Sequence, residues 1–485
     1  MLDPATIRFI RINLCRKLKR KKMKVIAVIG LLIIFYALYA LYPRQKVIIE
    51  LPEIWWGPGS NKSADLTIRP FRISFSDKAV EDLKIRLKNA RALPAALEGS
   101  GWTYGVDGSF LKTILNYWLN DYKFKEREIY MNRYPQFVTN IQGLDIHYVH
   151  ARPEQFAVAG KRILPLLIQH GWPGSIAEFH KILPMLITPR AEHDFVFEVI
   201  APSLPGFGFS SSAIKPGLGC PQAAVVLKNL MLRLGFEKFY TQGGDLGAIT
   251  TANLAALFPR HVLGMHSNMC TASNMKNTVK TILYSIAPSI FLDEADQRLM
   301  YPLTERYLRL VEESGYFHIQ ATKPDTVGVG PSDSPAALAA YILEKFSTGT
   351  NGSNRFKPDG DLLVKFSMDE LIDNLMMYWI PNSMTTAMRI YSETFNRRTY
   401  SLGLDSLPVT VPSACAQFPY EISYQPASFL RERYTNLLRA TRMPRGGHFA
   451  AMEEPELLAD DIWNSVAEME RFRKTMKSHG DANEL

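Results

Sequence analysis

Several features that often betray a function are scarce or missing in this chain. There are four cysteines in 485 residues, Cys15, Cys220, Cys270 and Cys415. None of their spacings is that of a paired bridge or a metal module, so the sequence implies no disulfide framework and no metal site. There is no internal repeat and no extended low-complexity segment, which excludes solenoids and fibrous arrays. Net charge is nearly absent outside the first residues. Of a formal +9, residues 1–24 carry nine Lys/Arg against one acidic residue, a surplus of eight, and about +1 is left for everything else. Nucleic acid binding needs a basic folded surface, so it is excluded as the main role. Finally, no Gly-x-Ser-x-Gly stands between a strand and a helix, which removes the ordinary serine hydrolase.

What is present begins with a hydrophobic content of 47%, enough for a mostly globular chain of two or three structural units. The basic run Arg16-Lys17-Leu18-Lys19-Arg20-Lys21-Lys22-Met23-Lys24 precedes an uncharged apolar stretch at 25–42, long enough to span roughly 30 Å of hydrocarbon. No Ala-x-Ala site follows Tyr42-Pro43-Arg44, so a single-pass membrane anchor is expected rather than a cleaved signal peptide. Taken alone, the positive-inside rule keeps residues 16–24 cytosolic and places the body in the lumen. The sequons Asn61-Lys62-Ser63 and Asn351-Gly352-Ser353 would report that orientation, because only a lumenal body is glycosylated. Residues 44–65 read as a linker, in which Trp55-Trp56-Gly57-Pro58-Gly59 forms an aromatic turn suited to a membrane interface.

Helical periodicity covers 76–89 and 110–122, and alternation at 137–141 and 144–150 around Gln142-Gly143 predicts a hairpin. Continuous apolar runs at 163–168, 195–200, 239–242 and 262–267 read as buried parallel strands. Two more strand candidates, 407–416 and 435–440, precede a helix at 455–472. Between them the pattern is helical and aromatic-rich, with a capping box at Ser367-Met368-Asp369-Glu370. The fold class is therefore α/β, with a helical lid inserted in the core. The expected divisions are 1–43 (basic flank and anchor), 44–150 (N-terminal extension), 151–270 (first core part), 271–398 (lid) and 399–485 (second core part).

Chemistry concentrates at Gly243-Gly244-Asp245-Leu246-Gly247, where a carboxylate takes the place of an elbow serine. A strand at 238–242 and a helix at 248–257 closed by Pro259 supply the strand–turn–helix context. Such elbows also need a histidine, an acid that orients it and backbone donors for an oxyanion. Of ten histidines, His448 in Arg445-Gly446-Gly447-His448-Phe449 has the best context. His147, His150, His261 and His266 read as structural. His170 in His170-Gly171-Trp172-Pro173-Gly174 reads as a loop-shaping residue. That loop follows the strand at 163–168, so the N–H of Trp172 is the expected oxyanion donor, paired with the N–H of Leu246. Pro173 is a candidate for a cis bond. For the acid, Asp405, Glu393, Glu421 and the Glu453-Glu454 pair compete, and Glu421 is favoured by following a strand on the C-terminal rim of the sheet.

These residues resemble the epoxide hydrolases of the α/β-hydrolase fold, in the membrane-anchored microsomal branch that includes the insect juvenile hormone epoxide hydrolases. The resemblance spans nearly the whole chain. It rests on the apolar N-terminal run, the Trp-Trp-Gly-Pro-Gly turn, His170-Gly171-Trp172-Pro173-Gly174-Ser175 and Gly243-Gly244-Asp245. It rests further on Glu313-Ser314-Gly315-Tyr316-Phe317-His318-Ile319-Gln320, Phe418-Pro419-Tyr420-Glu421 and Gly446-Gly447-His448-Phe449-Ala450. The resemblance implies Asp245 as nucleophile, His448 as general base, Glu421 as the residue that orients it, and Tyr316 and Tyr391 as proton donors from the lid. Composition could not single out two of 21 tyrosines. It further implies a lipophilic epoxide substrate, no metal or organic cofactor, and attachment to the endoplasmic reticulum with the catalytic part facing the cytosol, against the charge rule. One departure is Leu246, where the family carries tryptophan. A backbone donor survives that change but the indole contact is lost, which also weighs against a haloalkane dehalogenase that holds halide there. The other alternative is a catalytically impaired, membrane-tethered binding protein. Met376-Met377-Tyr378-Trp379 in the lid suits a lipophilic ligand, although core packing is the commoner role of such a stripe.

Overall fold

In the computed structural model, residues 30–31, 49–60, 65–158 and 160–478 are described. Among these residues nine strands make one sheet: β1 Arg69–Phe71, β2 Gln136–Ile141, β3 Leu144–Ala151, β4 Arg162–Gln169, β5 Phe195–Pro202, β6 Phe239–Gly243, β7 Val262–Ser267, β8 Ser413–Gln417 and β9 Leu437–Arg442. Their order is β1-β2-β3-β5-β4-β6-β7-β8-β9. β1, β2, β3 and β5 pair antiparallel, and every pair from β5 to β9 is parallel. The hairpin β2–β3 closes on Gln142 and Gly143, whose φ angles of 52° and 86° are the left-handed pair a tight two-residue turn requires. The parallel strands are apolar because helices cover both faces; in β5 every residue but Glu198 is buried.

β8 is shorter than the run at 407–416 suggests. Pro408 and Pro412 remove ladder donors there, and the segment before Ser413 makes only the isolated bridge of Val409 to Tyr434. Between β7 and β8 the chain is helical, and the capping box at Ser367 and Glu370 forms as expected at the start of the helix Met368–Trp379. The N-terminal helices Asp77–Lys88, Gly108–Asn120 and Phe124–Met131 lie against the lid. Trp102 N–H donates to Arg355 O at 2.6 Å and its indole N–H to Pro358 O at 3.1 Å. The buried Asp373 carboxylate on the helix Met368–Trp379 accepts from Tyr122 Oη at 2.8 Å and from Arg127, through Nε at 3.0 Å and a second, shorter bond to Nη2. Asp373→Ala strands a partly buried guanidinium, and a loss of about 3–5 kcal/mol is expected, read as a lower denaturant midpoint. A midpoint equal to wild type would show that the clamp is dispensable.

Two expectations are corrected here. Within the tryptophan turn Trp56 is not free to meet a membrane interface: it is buried, its backbone N–H donates to Gln142 O at 2.8 Å, and Gly57 lies so close to the hairpin that a Cβ would come within 1.9 Å of Gly143 O, while Trp55 stays partly exposed. And a disulfide is present, Cys270–Cys415. Spacing gave no sign of it because the lid separates the partners by 145 residues, while parallel pairing sets Ser267 of β7 opposite Cys415 of β8. Cys220 is free and buried. The run at 25–42, apart from Gly30 and Leu31, lies outside the described residues, as do Cys15 and the sequon asparagine Asn61. Among the described residues no helix is long and apolar enough to cross a membrane.

Candidate active site

The strand β6 ends at Gly243 and the helix Asp245–Leu257 starts at once. Asp245 therefore occupies the turn itself, at a φ of 50°, a region in which non-glycine residues are uncommon and concentrated at functional sites. Glycines let the turn close: a Cβ on Gly247 would stand 2.2 Å from Gln169 O. The Trp172 N–H donates to Asp245 Oδ1 at 2.8 Å, from the loop after β4. Gly171 is required beside it, since a Cβ there would lie 2.3 Å from Oδ1.

That loop is held by the residues expected to shape it. His170 Nε2 accepts from the Leu204 N–H at 3.1 Å, and burial pulls its pKa down to about 4, so it is neutral. The Trp172–Pro173 bond is cis, and Asn374 Nδ2 donates to Pro173 O at 2.8 Å.

On the other side of Asp245, His448 Nε2 stands 3.4 Å from Oδ2, and its Nδ1 meets Glu421 Oε1 at 2.7 Å. Of the competing acids, Glu421 is the one that reaches the imidazole. Glu393 accepts from the Gly217 N–H, Asp405 faces Arg433, and Glu454 pairs with Lys365 and Arg445. Burial alone would lower the pKa of His448, but the charges of Glu421 and Asp245 outweigh it and raise the pKa well above the ordinary value. At neutral pH the ring is thus an imidazolium between two carboxylates.

The lid delivers both tyrosines to the same place. Trp172 stacks on Tyr316 with ring centroids 5.0 Å apart and meets Tyr391 edge-on at 6.0 Å; the two phenol rings are 6.2 Å apart. Burial, and then the charge of Asp245, push both phenols well above their ordinary pKa, so both hold their protons. The Tyr391 hydroxyl makes no hydrogen bond of good geometry, although it is near enough to Tyr316 to perturb that phenol.

Two cavities share Trp172, His448 and Phe449 as a wall. The larger, about 200 Å³, is lined by Leu299, Arg309, Leu310, Tyr316 and Tyr424 among others. The smaller, about 20 Å³, is lined by Gln169, Glu178, Gln242, Asp245 and Asn268. A carboxyl nucleophile beside phenols that hold their protons suits attack on a carbon whose leaving oxygen must be protonated, as in an epoxide.

Residues 68–179 match the family described as epoxide hydrolase N terminus, and residues 165–302 match the alpha/beta hydrolase fold. Over 421 residues the chain is 50% identical to juvenile hormone epoxide hydrolase 1 of Ctenocephalides felis, covering 87% of this chain and 90% of that protein. The chain belongs to the epoxide hydrolases. Epoxide hydrolase 1 of Oryctolagus cuniculus is 44% identical over 430 residues, 87% of this chain and 94% of that one. The crystal structure of juvenile hormone epoxide hydrolase from the silkworm Bombyx mori superposes with a TM-score of 0.85 at 44% identity, covering 87% of this chain and 99% of that one. As an epoxide hydrolase, the protein is an enzyme that hydrolyses epoxides, and neither a dehalogenase nor a bare binding protein is favoured.

Other residues of this epoxide hydrolase lie outside the catalytic line or support it. Leu246 is buried and lines neither cavity, so losing the family tryptophan reshapes packing rather than either cavity wall. Met376, Met377 and Tyr378 are core, with Tyr378 Oη donating to Gly174 O at 2.7 Å. His147 sits between Ser203 and Gln136, His150 on Glu198, His261 on Glu237 O and His266 on Asp461, all structural as expected. Two buried carboxyls take places that their sequence context does not indicate, Glu453 in another role than the acid it competes for and Glu178 with no expectation attached. Glu453 accepts from the N–H groups of Gly447 and Phe449 at 3.0 and 2.8 Å, and so fixes the loop that carries His448. Glu178 lines the smaller cavity. The one available signal for it was a charged residue inside the apolar run Ile176-Ala177-Glu178-Phe179.

Proposed function

We propose that this epoxide hydrolase opens lipophilic epoxides to vicinal diols through a covalent ester on Asp245, with juvenile hormone epoxide or a related lipophilic epoxide as substrate. The observation that carries the reading is the line Trp172 N–H, Asp245, His448, Glu421, with contacts of 2.8, 3.4 and 2.7 Å. Trp172 holds Oδ1, which leaves Oδ2 to attack the epoxide carbon. As the C–O bond breaks, Tyr316 and Tyr391 donate to the oxygen that becomes negative. Esterification abolishes the charge on Asp245. His448 then loses one of the two anions that keep it protonated, and its proton restores the phenol that gave one up. The neutral ring, steadied by Glu421, deprotonates water, which attacks Cγ; the N–H groups of Trp172 and Leu246 stabilise the oxyanion, and the diol departs. No step calls on a metal or an organic cofactor.

Tyr391→Phe is expected to slow ester formation on the order of 10²-fold, the effect of removing one well-placed donor, in a rapid-quench measurement of the first turnover. A wild-type rate of ester formation would remove Tyr391 from the role.

The substrate reading is supported by relatives named for juvenile hormone at 44–50% identity; the larger cavity offers Leu299, Leu310, Ile422, Tyr316 and Tyr424 to an apolar chain, alongside the charged Arg298, Arg306, Arg309, Glu313 and Lys345. Its test is kcat/KM for juvenile hormone and for styrene oxide side by side, with the hormone expected to win; the reverse order would make the enzyme a broad xenobiotic hydrolase.

Residues 25–42 are proposed to hold the enzyme on the endoplasmic reticulum membrane with the catalytic part in the cytosol, the arrangement that the family resemblance implies. A lumenal body is the second reading, favoured by the Cys270–Cys415 bridge, because disulfides persist in oxidising compartments, and by the basic run before the anchor. Asn351 decides between them. No endoglycosidase-sensitive mass shift is expected in the full chain expressed in insect cells, and a shift abolished by Asn351→Gln would place the body in the lumen.

A further inference from the structure

The smaller cavity holds a group that the ester mechanism has not used. Glu178 lies in the short helix Ile176–His180, just after the His-Gly-Trp-Pro-Gly-Ser loop, and is buried. Among the described residues its carboxyl meets no hydrogen-bond or ion-pair partner. A buried carboxyl without a partner costs stability, and here burial raises its pKa to about 8 against the pull of the His448 charge, so it is held neutral. The loop is shaped to admit it: a Cβ on Gly174 would come within 2.8 Å of Glu178 Oε2. The two glycines of Gly171-Trp172-Pro173-Gly174 thus make room for two carboxyl groups, Asp245 and Glu178.

Asp245, His448 and Glu178 line one space, and its volume of about 20 Å³ suffices for a single water. The Oε1 of Gln169, also on its wall, is buried without a partner, whereas Gln242 and Asn268 satisfy one another at 2.9 Å. Trp172, His448 and Phe449 line both this space and the larger cavity, so the two meet at the base and at the loop that carries the oxyanion donor.

We propose that this space seats the water that hydrolyses the ester, and that Glu178 is the positioning residue that accepts one of its O–H bonds. The inference rests on the covalent-ester reading. His448 Nε2 accepts the other O–H, which turns an oxygen lone pair toward Cγ of the esterified Asp245. The water O–Cγ bond forms as its proton passes to His448. The bond from Cγ to the substrate oxygen then breaks, and that oxygen takes the proton from His448. Glu178 keeps its own proton throughout and acts through its carbonyl oxygen.

The test uses the full chain with Glu178→Met and Glu178→Gln, a lipophilic epoxide, rapid quench, intact-protein mass for the ester, and thermal melting. Both variants should form the ester at the wild-type rate. In Glu178→Met, ester hydrolysis should fall roughly 10- to 100-fold and the ester should accumulate, while Glu178→Gln, which keeps a carbonyl acceptor, stays within about threefold of wild type. The melting temperature of Glu178→Met should be no lower than wild type, because an unpartnered buried carboxyl has been removed; a purely structural role predicts the opposite. Wild-type ester hydrolysis in Glu178→Met, equal defects in both variants, or slowed ester formation with a lowered melting temperature would each overturn the proposal. Absence of any ester in the wild-type enzyme would instead sink the covalent mechanism and leave no lytic step for Glu178 to assist.

Discussion

Asp245→Asn should yield neither diol nor covalent intermediate, with turnover reduced by at least about 10⁴-fold, as when a nucleophile is removed from a triad. The amide is neutral and too weak a nucleophile to open an epoxide, and its loss of charge also withdraws one of the anions that keep His448 protonated. The side chain still offers an oxygen to the Trp172 N–H and fits the space beside Gly171, so the fold should be retained. Intact-protein mass after mixing with excess epoxide is the measurement. A rapid burst of bound substrate in this variant would falsify the assignment of Asp245 and direct attention to another carboxyl.

His448→Gln should separate the two halves of the reaction. Ester formation does not need the imidazole as a base, so one equivalent of substrate should become bound; hydrolysis does, and steady-state turnover should drop about 10²- to 10⁴-fold. The trapped species is read as a mass increase equal to the substrate, located by peptide mapping on the segment that contains Asp245. Continued turnover near the wild-type rate would show that another group activates the water. Failure to form the ester would show that His448 acts before the lytic step.

The elbow, the parallel strands and the His448 loop were legible in the sequence because each is a local pattern: a glycine-flanked carboxylate between a strand and a helix, continuous apolar runs, a glycine-rich turn after a strand. Glu421 was legible only as a position after a strand, since its partner is 27 residues away and four other acidic groups fitted loosely. Tyr316 and Tyr391 carry no local signal, because their role comes from lid helices folding over Trp172. The same limit hid Cys270–Cys415, whose partners meet through sheet order, and Trp56, which docks on a turn far along the chain. Glu178 escaped for a further reason, since a carboxyl in a short apolar run looks like surface until its burial is known, and Glu453 was visible only as a rival to Glu421, not as the acceptor that fixes the His448 loop.

The ties from the N-terminal helices to the lid have a kinetic consequence. Asp373, Arg355 and Pro358 of the lid are fastened to Arg127, Tyr122 and Trp102, while the helix Leu303–Glu313, which borders the larger cavity, has no buried residue. That exposed helix is held by polar ties rather than by packing, Arg306 to Tyr424 O and Glu312 and Glu313 to Arg355. Substrate exchange should proceed by breaking those surface ties and shifting that one helix rather than by the whole lid swinging as a door, and cross-linking Trp102 to the segment at Pro358 should leave product release untouched.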